Sequence, residues 1–561
     1  MSRPKDCTSG KNLQIALTLS GGGYRASVFH IGVLSYLYHL KLDDGTRMLD
    51  HVTVMSTVSG GTITGVNYLL ALRKGGELNV HFAELFDRIK KNNLADKVLE
   101  KVSENKNNPA LSIIKELGNV YDEVFFEGKG QTFSDLQEIV QKSAVHHFSA
   151  YATDITNAMP FRFQAVKDCY KGTIIGNENW EIKPKKAGAI RIADIVAASS
   201  CFPIVFEPIN YPRDFFIYNE TEERAQTNMQ VQLMDGGIID NQGVDYLYEA
   251  NRQMADGGDE NEKGVDFAII SDAASSAEEE PLIPAESSCQ KYLRIAKFVL
   301  YYITLWFLIV KVFALFKNTT VNVLQYSTLF MTLLFGLLGW YYRDSSLLLL
   351  AFSSLSCTSM IFSFLIFLGK KYAPSALKKS KQYQIPKNLV WKINFLQYQR
   401  QLKKRYDSFS KVVSTVMMGH IRKRNLMMIM ENTRWTNRVI VPCISSLSSN
   451  ADWKHDETSS KLMTKASDLM GFSDRASNFH STLWFSKTDI DNRIPEKILA
   501  CGQFSICYEL YLWSLRHKGN QSNLTKVLGQ LKTESMRDRL KGDWETFKKN
   551  PDWLVDLKTI Q

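Results

Sequence analysis

The sequence predicts an α/β fold, a mostly parallel sheet with flanking helices interrupted by a transmembrane helical insertion. Three observations carry this reading. Strand-like and helix-like segments alternate through the first half of the chain, predicted strands run directly into glycine-rich turns, and the middle of the chain holds long apolar stretches. Taken in order, QIALTLS reads as a strand and YRASVFHIGVLSYLYHL as an amphipathic helix; VTVMS then reads as a second strand and TITGVNYLLALRK as a second helix.

The alternating block extends over residues 1–289. Residues 290–372 form a hydrophobic block with three stretches between Phe298 and Gly369: FVLYYITLWFLIVKVFALF, VNVLQYSTLFMTLLFGLLGWYY and LLLLAFSSLSCTSMIFSFLIFLG. Each has the length, about 20 residues, that crosses a hydrocarbon core. Residues 373–561 begin as a basic helical segment, pass through a further strand at RVIVP and end in helices. The flanks of the hydrophobic block are basic, with Lys291, Arg294 and Lys297 before it and Lys370, Lys371, Lys378, Lys379 and Lys381 after it. Both flanks therefore read as cytoplasmic, which requires an even number of crossings. Two full crossings are expected from three stretches, the third being re-entrant, interfacial or buried: either the middle one, with Asn322, Gln325, Ser327 and Thr328 in its first half, or the first, with Lys311 marking it as interfacial.

Composition narrows the class. The 561 residues are 45% hydrophobic and 22% charged, which excludes a disordered chain and exceeds one ordinary core. The net charge of +10 suits an anionic surface or simple solubility equally well. Eight cysteines without short paired spacing point to a reduced compartment, and no zinc pattern occurs. The opening MSRPKDCTSG has no apolar core, so no secretory signal is expected.

The chemistry-bearing candidates sit at strand ends. LTLSGGGYRAS leads a strand into Gly21, Gly22 and Gly23 and then into a helix, where backbone N–H groups and the helix N-terminus favour an anion. The spacing of Gly21, Gly23 and Ala26 formally fits a dinucleotide loop, but the next strand ends in Ser56-Thr57-Val58-Ser59 rather than in a ribose-binding acid. A lysine-ending phosphate loop is also absent. VMSTVSGGTITG instead fits a nucleophile elbow centred on Ser59, with Thr57 where the first glycine of G-x-S-x-G would stand. The alternative role for Ser59 is a cap on the helix that follows. His420, His455, His480 and His517 have polar or helical settings without a catalytic turn, and His30 and His51 read as helix and strand-edge residues. In VQLMDGGIIDNQGV an apolar strand ends at Asp235, ahead of Gly236 and Gly237. That offers a carboxylate at a strand end, or a plain turn.

Together these segments resemble the patatin-like phospholipases. GGGYR, the SxSGG turn and DGG occur in the family's order, joined by ATDIT from Ala152, VAASSCFPIVFEPI from Val196 and DNQGV after the DGG. The likeness spans residues 12–275 and extends to STLWFSKTDIDNRIPEKILACGQFSICYELYLW. The resemblance implies a Ser-Asp dyad, with Ser59 as nucleophile and Asp235 as base, and an oxyanion segment of Gly21, Gly22, Gly23 and Arg25. It implies no metal and no cofactor. The expected protein is a membrane-anchored serine hydrolase of phospholipid or lysophospholipid esters, its catalytic domain on the cytoplasmic side, with a lipid substrate and the bilayer as partners and no nucleic acid. Oligomeric state is not legible. A neutral-lipid or acyl-thioester hydrolase and a catalytically inactive membrane scaffold are the alternatives. The lysine-rich helical stretch from Gly75 to Asp135 reads as a cap or as a solvated insert, and the basic runs at 402–405 and 421–424 as membrane-facing or solvated helices.

Overall fold

IALTL and VTVMSTV are nearly unbroken runs of apolar and β-branched residues, the composition of strands covered on both faces. They form β1 (Ile15–Leu19) and β2 (Val52–Val58), every residue of which is buried. The computed structural model describes residues 13–104, 112–170, 173–203, 205–218, 230–255, 264–274, 408–409, 412–433, 435–449, 451, 456–517, 531 and 533–560. All belong to one compact unit, assembled from chain before residue 281 and after residue 407. Among the described residues no helix is long and apolar enough to cross a membrane. The three apolar stretches between 298 and 369 lie outside the described residues.

The centre of the sheet is parallel. β1 pairs with β2 on one side and with β9 (Phe267–Ser271) on the other; β10 (Val439–Ile440) adds to β9 and β3 (His147–Asp154) adds to β2. Beyond β3 the direction reverses, so the sheet is mixed and not mostly parallel as the alternation suggested. The cause is local: β3 turns straight back into β4 (Met159–Val166), and so short a connection permits only antiparallel pairing. Asp154 holds that turn, its Oδ1 accepting the N–H groups of Thr156 and Asn157. β5 (Gly176–Asn177) and β6 (Trp180–Glu181) finish that edge. β7 (Ile209–Tyr211) pairs with β8 (Val231–Asp235), and β8 pairs antiparallel with the end of β3.

Helices follow the strands as predicted: α1 (Gly23–His39) after β1 and α2 (Gly60–Lys74) after β2. The lysine-rich stretch folds as α3 (Leu78–Lys91), α4 (Leu94–Glu104), α5 (Ile113–Phe125) and α6 (Phe133–Lys142). α7 (Pro184–Gly188), α8 (Ile192–Ser199), α9 (Gly237–Asp240) and α10 (Asp245–Met254) complete the first part. The later part contributes α11 (Met418–Glu431), α12 (Glu457–Leu462), α13 (Ser467–Ser477), α14 (Lys487–Asp491), α15 (Ile494–Arg516) and α16 (Glu534–Lys549).

α1 and α15 are buried almost all round and cross backbone to backbone. A Cβ on Gly32 would stand 2.2 Å from the Leu499 carbonyl oxygen, and one on Gly502 would stand 2.1 Å from that of Phe29. Only glycine permits this approach, so the C-terminal helix is a core element of the unit that holds β1 and β2. Cys201, Cys443, Cys501 and Cys507 are free thiols. Cys169 is disulfide-bonded, a bridge that no short spacing in the sequence announces.

Candidate active site

The β2-to-α2 turn places Ser59 in a backbone conformation that a serine rarely adopts, φ 51° and ψ −121°. Such a residue persists only where its surroundings hold it. Here they do. The Ser59 N–H donates to Ser199 Oγ at 2.9 Å, and Ser199 Oγ also bonds Thr62 Oγ1 at 2.8 Å. Glycines supply the clearance: a Cβ on Gly60 would stand 2.1 Å from the Gly23 carbonyl oxygen, and one on Gly61 2.3 Å from that of Leu19. Ser59 occupies the N-cap position of α2, yet its side chain makes no capping bond.

Thr57, the residue that departs from the elbow pattern, fits for a specific reason. Its hydroxyl donates to the Ser149 carbonyl at 2.9 Å, and its methyl group lies over Gly65 of α2, where a Cβ would stand 2.5 Å from Thr57 Cγ2. The clearance between strand and helix is supplied from the helix side.

Register explains how Asp235 reaches Ser59. Val58 is level with Tyr151 in the parallel β2–β3 pair, so the chain passes Ala152 as it enters the turn at Ser59. Ala152 in turn pairs with Asp235 on the other side of β3. The serine and the aspartate therefore flank one alanine at the same height of the sheet. Asp235 is buried, and its carboxylate accepts the Gly237 N–H at 2.7 Å. Burial pushes its pKa from 3.8 up to about 6, against the lowering effects of that bond and of the nearby Ser59 side chain. A carboxylate with that value is a stronger base than an exposed one and remains ionised at neutral pH.

The glycine loop lies alongside. Gly21 N–H donates to the Asn241 carbonyl at 3.0 Å, and a Cβ on Gly21 would stand 3.1 Å from Ser59 Cβ and 2.5 Å from Asn241 Oδ1. Gly22 and Gly23 both have positive φ, 136° and 57°, and among the described residues their N–H groups donate to no protein acceptor. Gly60 N–H, just after Ser59 and packed against Gly23, is equally uncommitted among the described residues. These are donors at two helix N-termini beside a serine hydroxyl, an arrangement that stabilises a developing oxyanion. Arg25 stays beside this loop, its Nη2 3.7 Å from where a Cβ on Gly22 would stand. Buried, it donates from Nη1 to the Phe479 carbonyl at 2.5 Å, tying α1 to the segment whose Thr482 carbonyl accepts Tyr24 N–H.

Residues 17–248 match the family model described as patatin-like phospholipase. Over this segment the chain is similar to the patatin-like phospholipases. No curated protein is matched by the sequence. Among solved structures, the chain is similar to human GIVD cytosolic phospholipase A2, at 12% identity over 51% of this chain and 46% of that one, with a TM-score of 0.33. The same human enzyme bound to methyl γ-linolenyl fluorophosphonate matches at 14% identity over 34% and 29% of the two chains, with a TM-score of 0.24. The matches span less than half the length of those relatives.

The fold brings Ser59, Asp235, Gly21, Gly22 and Gly23 together, and Arg25 lies between the Gly22 loop and the Phe479 carbonyl. Ser199 and Asn241 were not singled out from the sequence, although VAASSC and DNQGV contain them; a serine after an alanine-rich helix carries no signal until its partner is known. Among the described residues no histidine is hydrogen-bonded to Ser59 or Asp235. His30 is buried between Ser271 Oγ at 2.8 Å and the Ser20 carbonyl at 2.9 Å, and burial lowers its pKa to about 4. Tyr121 of α5 reaches Ser200 Oγ at 3.0 Å, so part of the lysine-rich stretch abuts the loop that holds Ser59.

Proposed function

We propose that the protein is a membrane-anchored serine hydrolase that cleaves acyl esters of phospholipids or lysophospholipids through a Ser59–Asp235 dyad. The observation that carries this reading is the register that sets the strained Ser59 beside the buried Asp235 across Ala152, next to uncommitted glycine N–H groups. In the first step Ser59 Oγ bonds to the ester carbonyl carbon while its proton passes to Asp235. The carbonyl electrons move to oxygen, which Gly22, Gly23 and Gly60 N–H groups receive. Collapse expels the alcohol of the lysolipid or headgroup half, which takes the proton from Asp235. Water then attacks the acyl-serine, giving its proton to Asp235, and the fatty acid leaves as Ser59 regains a proton. Gly237 N–H keeps Asp235 oriented throughout.

Anchoring rests on the three apolar stretches of the sequence. The even number of crossings is favoured by β9 and β10, which precede and follow the block and lie side by side in parallel, so the chain leaves and re-enters one sheet. The basic flanks support a cytoplasmic side for the catalytic unit in this reading. The test is labelling by a fluorescent fluorophosphonate together with lipid analysis of cells expressing wild type or Ser59→Ala. Label on wild type alone and a lysolipid or fatty acid difference are expected. A folded wild type that takes no label would refute the hydrolase.

A further inference from the structure

α11 is built inside out for a helix facing water. At about 100° per residue, Met427, Met428 and Met430 of α11 fall within an arc of about 160°, and Val416 and Met417 of the π-helical turn before it (Val412–Met417) are exposed with them. Each of the five is 46% to 60% exposed. Elsewhere among the described residues, exposed large apolar side chains such as Val80, Leu99 and Phe216 stand singly on separate elements. Single exposed apolar residues need no explanation, but a contiguous run on one helix face does.

The same outer arc carries His420, Lys423 and Arg424, all exposed, against one acid, Glu431. Unbranched methionines interleaved with cations suit a surface that is fluid, apolar just below its boundary and negative at it. A protein partner would have to offer a matching acidic rim around an apolar groove; an anionic bilayer offers both without shape matching.

The inner face is polar and tied to the dyad. Asn425 Nδ2 donates to Asp240 Oδ1 at 3.0 Å, and Arg422 Nε donates to Asp272 Oδ2 at 2.7 Å, where Gln242 Nε2 also donates at 3.1 Å. Met418 Cε stands 3.0 Å from where a Cβ on Gly237 would be. Asp240, Gln242 and Gly237 belong to the loop that leaves Asp235, and Gly237 N–H holds the Asp235 carboxylate.

We propose that the outer face of α11 docks on an anionic lipid surface, and that its inner face couples docking to the loop carrying Asp235. The coupling half rests on the hydrolase reading; the docking half does not. In the full chain reconstituted in vesicles, Met427→Cys and, as a control, Leu99→Cys on α4 are labelled with a fluorophore, subtracting label on the unsubstituted protein, and doxyl-lipid quenching is read. Quenching at 427 and not at 99 is expected, strong with phosphatidylglycerol and weak in phosphatidylcholine alone. Each basic side chain near an anionic surface contributes about fivefold, so Lys423→Gln with Arg424→Gln should shift the docked ratio about 30-fold. The same pair should slow hydrolysis of vesicle lipid and leave a water-soluble ester unaffected. Absence of quenching at 427, or its cross-linking to a second protein chain, overturns the docking. Equal loss on soluble ester and vesicle lipid overturns the coupling. A chain that docks but takes no fluorophosphonate and hydrolyses neither substrate keeps the docking and removes the hydrolase.

Discussion

The acid limb of the rate profile tests the dyad most directly. With Asp235 pushed up to about 6, the base is about 90% ionised at pH 7 and about 10% ionised at pH 5. Lowering the pH across that interval should cut kcat/KM about tenfold, with one ionisation on the limb. The assay is hydrolysis of a soluble p-nitrophenyl ester between pH 4.5 and 8.5, with the rate of fluorophosphonate labelling as an independent readout of Ser59. The same displacement has a stability consequence. A folded-state pKa raised above 3.8 means that Asp235 contributes stability below pH 4 that is lost as pH rises through 6, about 3 kcal/mol in all. Asp235→Asn should therefore be more stable than wild type at pH 7, lose that advantage near pH 4, and be inactive throughout. A midpoint near 4, or a limb abolished by His30→Asn with Asp235 intact, would refute the argument from burial.

Four further outcomes are expected. Ser59→Ala, Asp235→Asn and the double variant should each lose about 10³-fold or more in kcat without multiplying, because the pair acts as a unit; multiplicative losses in single-turnover kinetics would separate them. Replacing Gly22 or Gly23 by valine should lower kcat about 10²-fold by displacing N–H donors, and full activity in both would remove that loop from the mechanism. Gly65→Ala should cost about 1–3 kcal/mol because its Cβ would meet Thr57 Cγ2, and Thr57→Ser should restore most of it; thermal melting of the two single variants and the double variant measures this. Cysteines placed near Tyr292 and Ala376 in sealed vesicles should label from the same side, and labelling from opposite sides would contradict an even number of crossings.

What the sequence revealed followed from local chemistry. A buried strand breaking at small residues before a helix can be read directly, which is why Gly21 to Gly23, Ser59 and Asp235 were visible as strand-end features. Their proximity was not readable, because it depends on β8 pairing beside β3 at Ala152, a register fixed by contacts far apart in sequence. The clearance for Thr57 was hidden in the same way, since the compensating Gly65 lies on the next helix. Arg25 follows the glycines closely enough to read as part of the loop, but its bond to the Phe479 carbonyl, far along the chain, could not be read. The reversal of strand direction after β3 was legible in principle from the short Asp154 turn but was outweighed by the alternation before it.

The crossing of α1 and α15 at Gly32 and Gly502 also sets an order of events during synthesis. Ser59 and Asp235 are both made by residue 235, but the helix that packs against α1 at Gly32 is not complete until residue 516. At about 5–20 residues per second that interval is roughly 15–55 seconds, during which the whole apolar block must emerge. Until then the buried face of α1 has no cover. A nascent chain halted before α15 would expose that face, and the catalytic unit can mature only after the cell has already dealt with the segment most prone to aggregate.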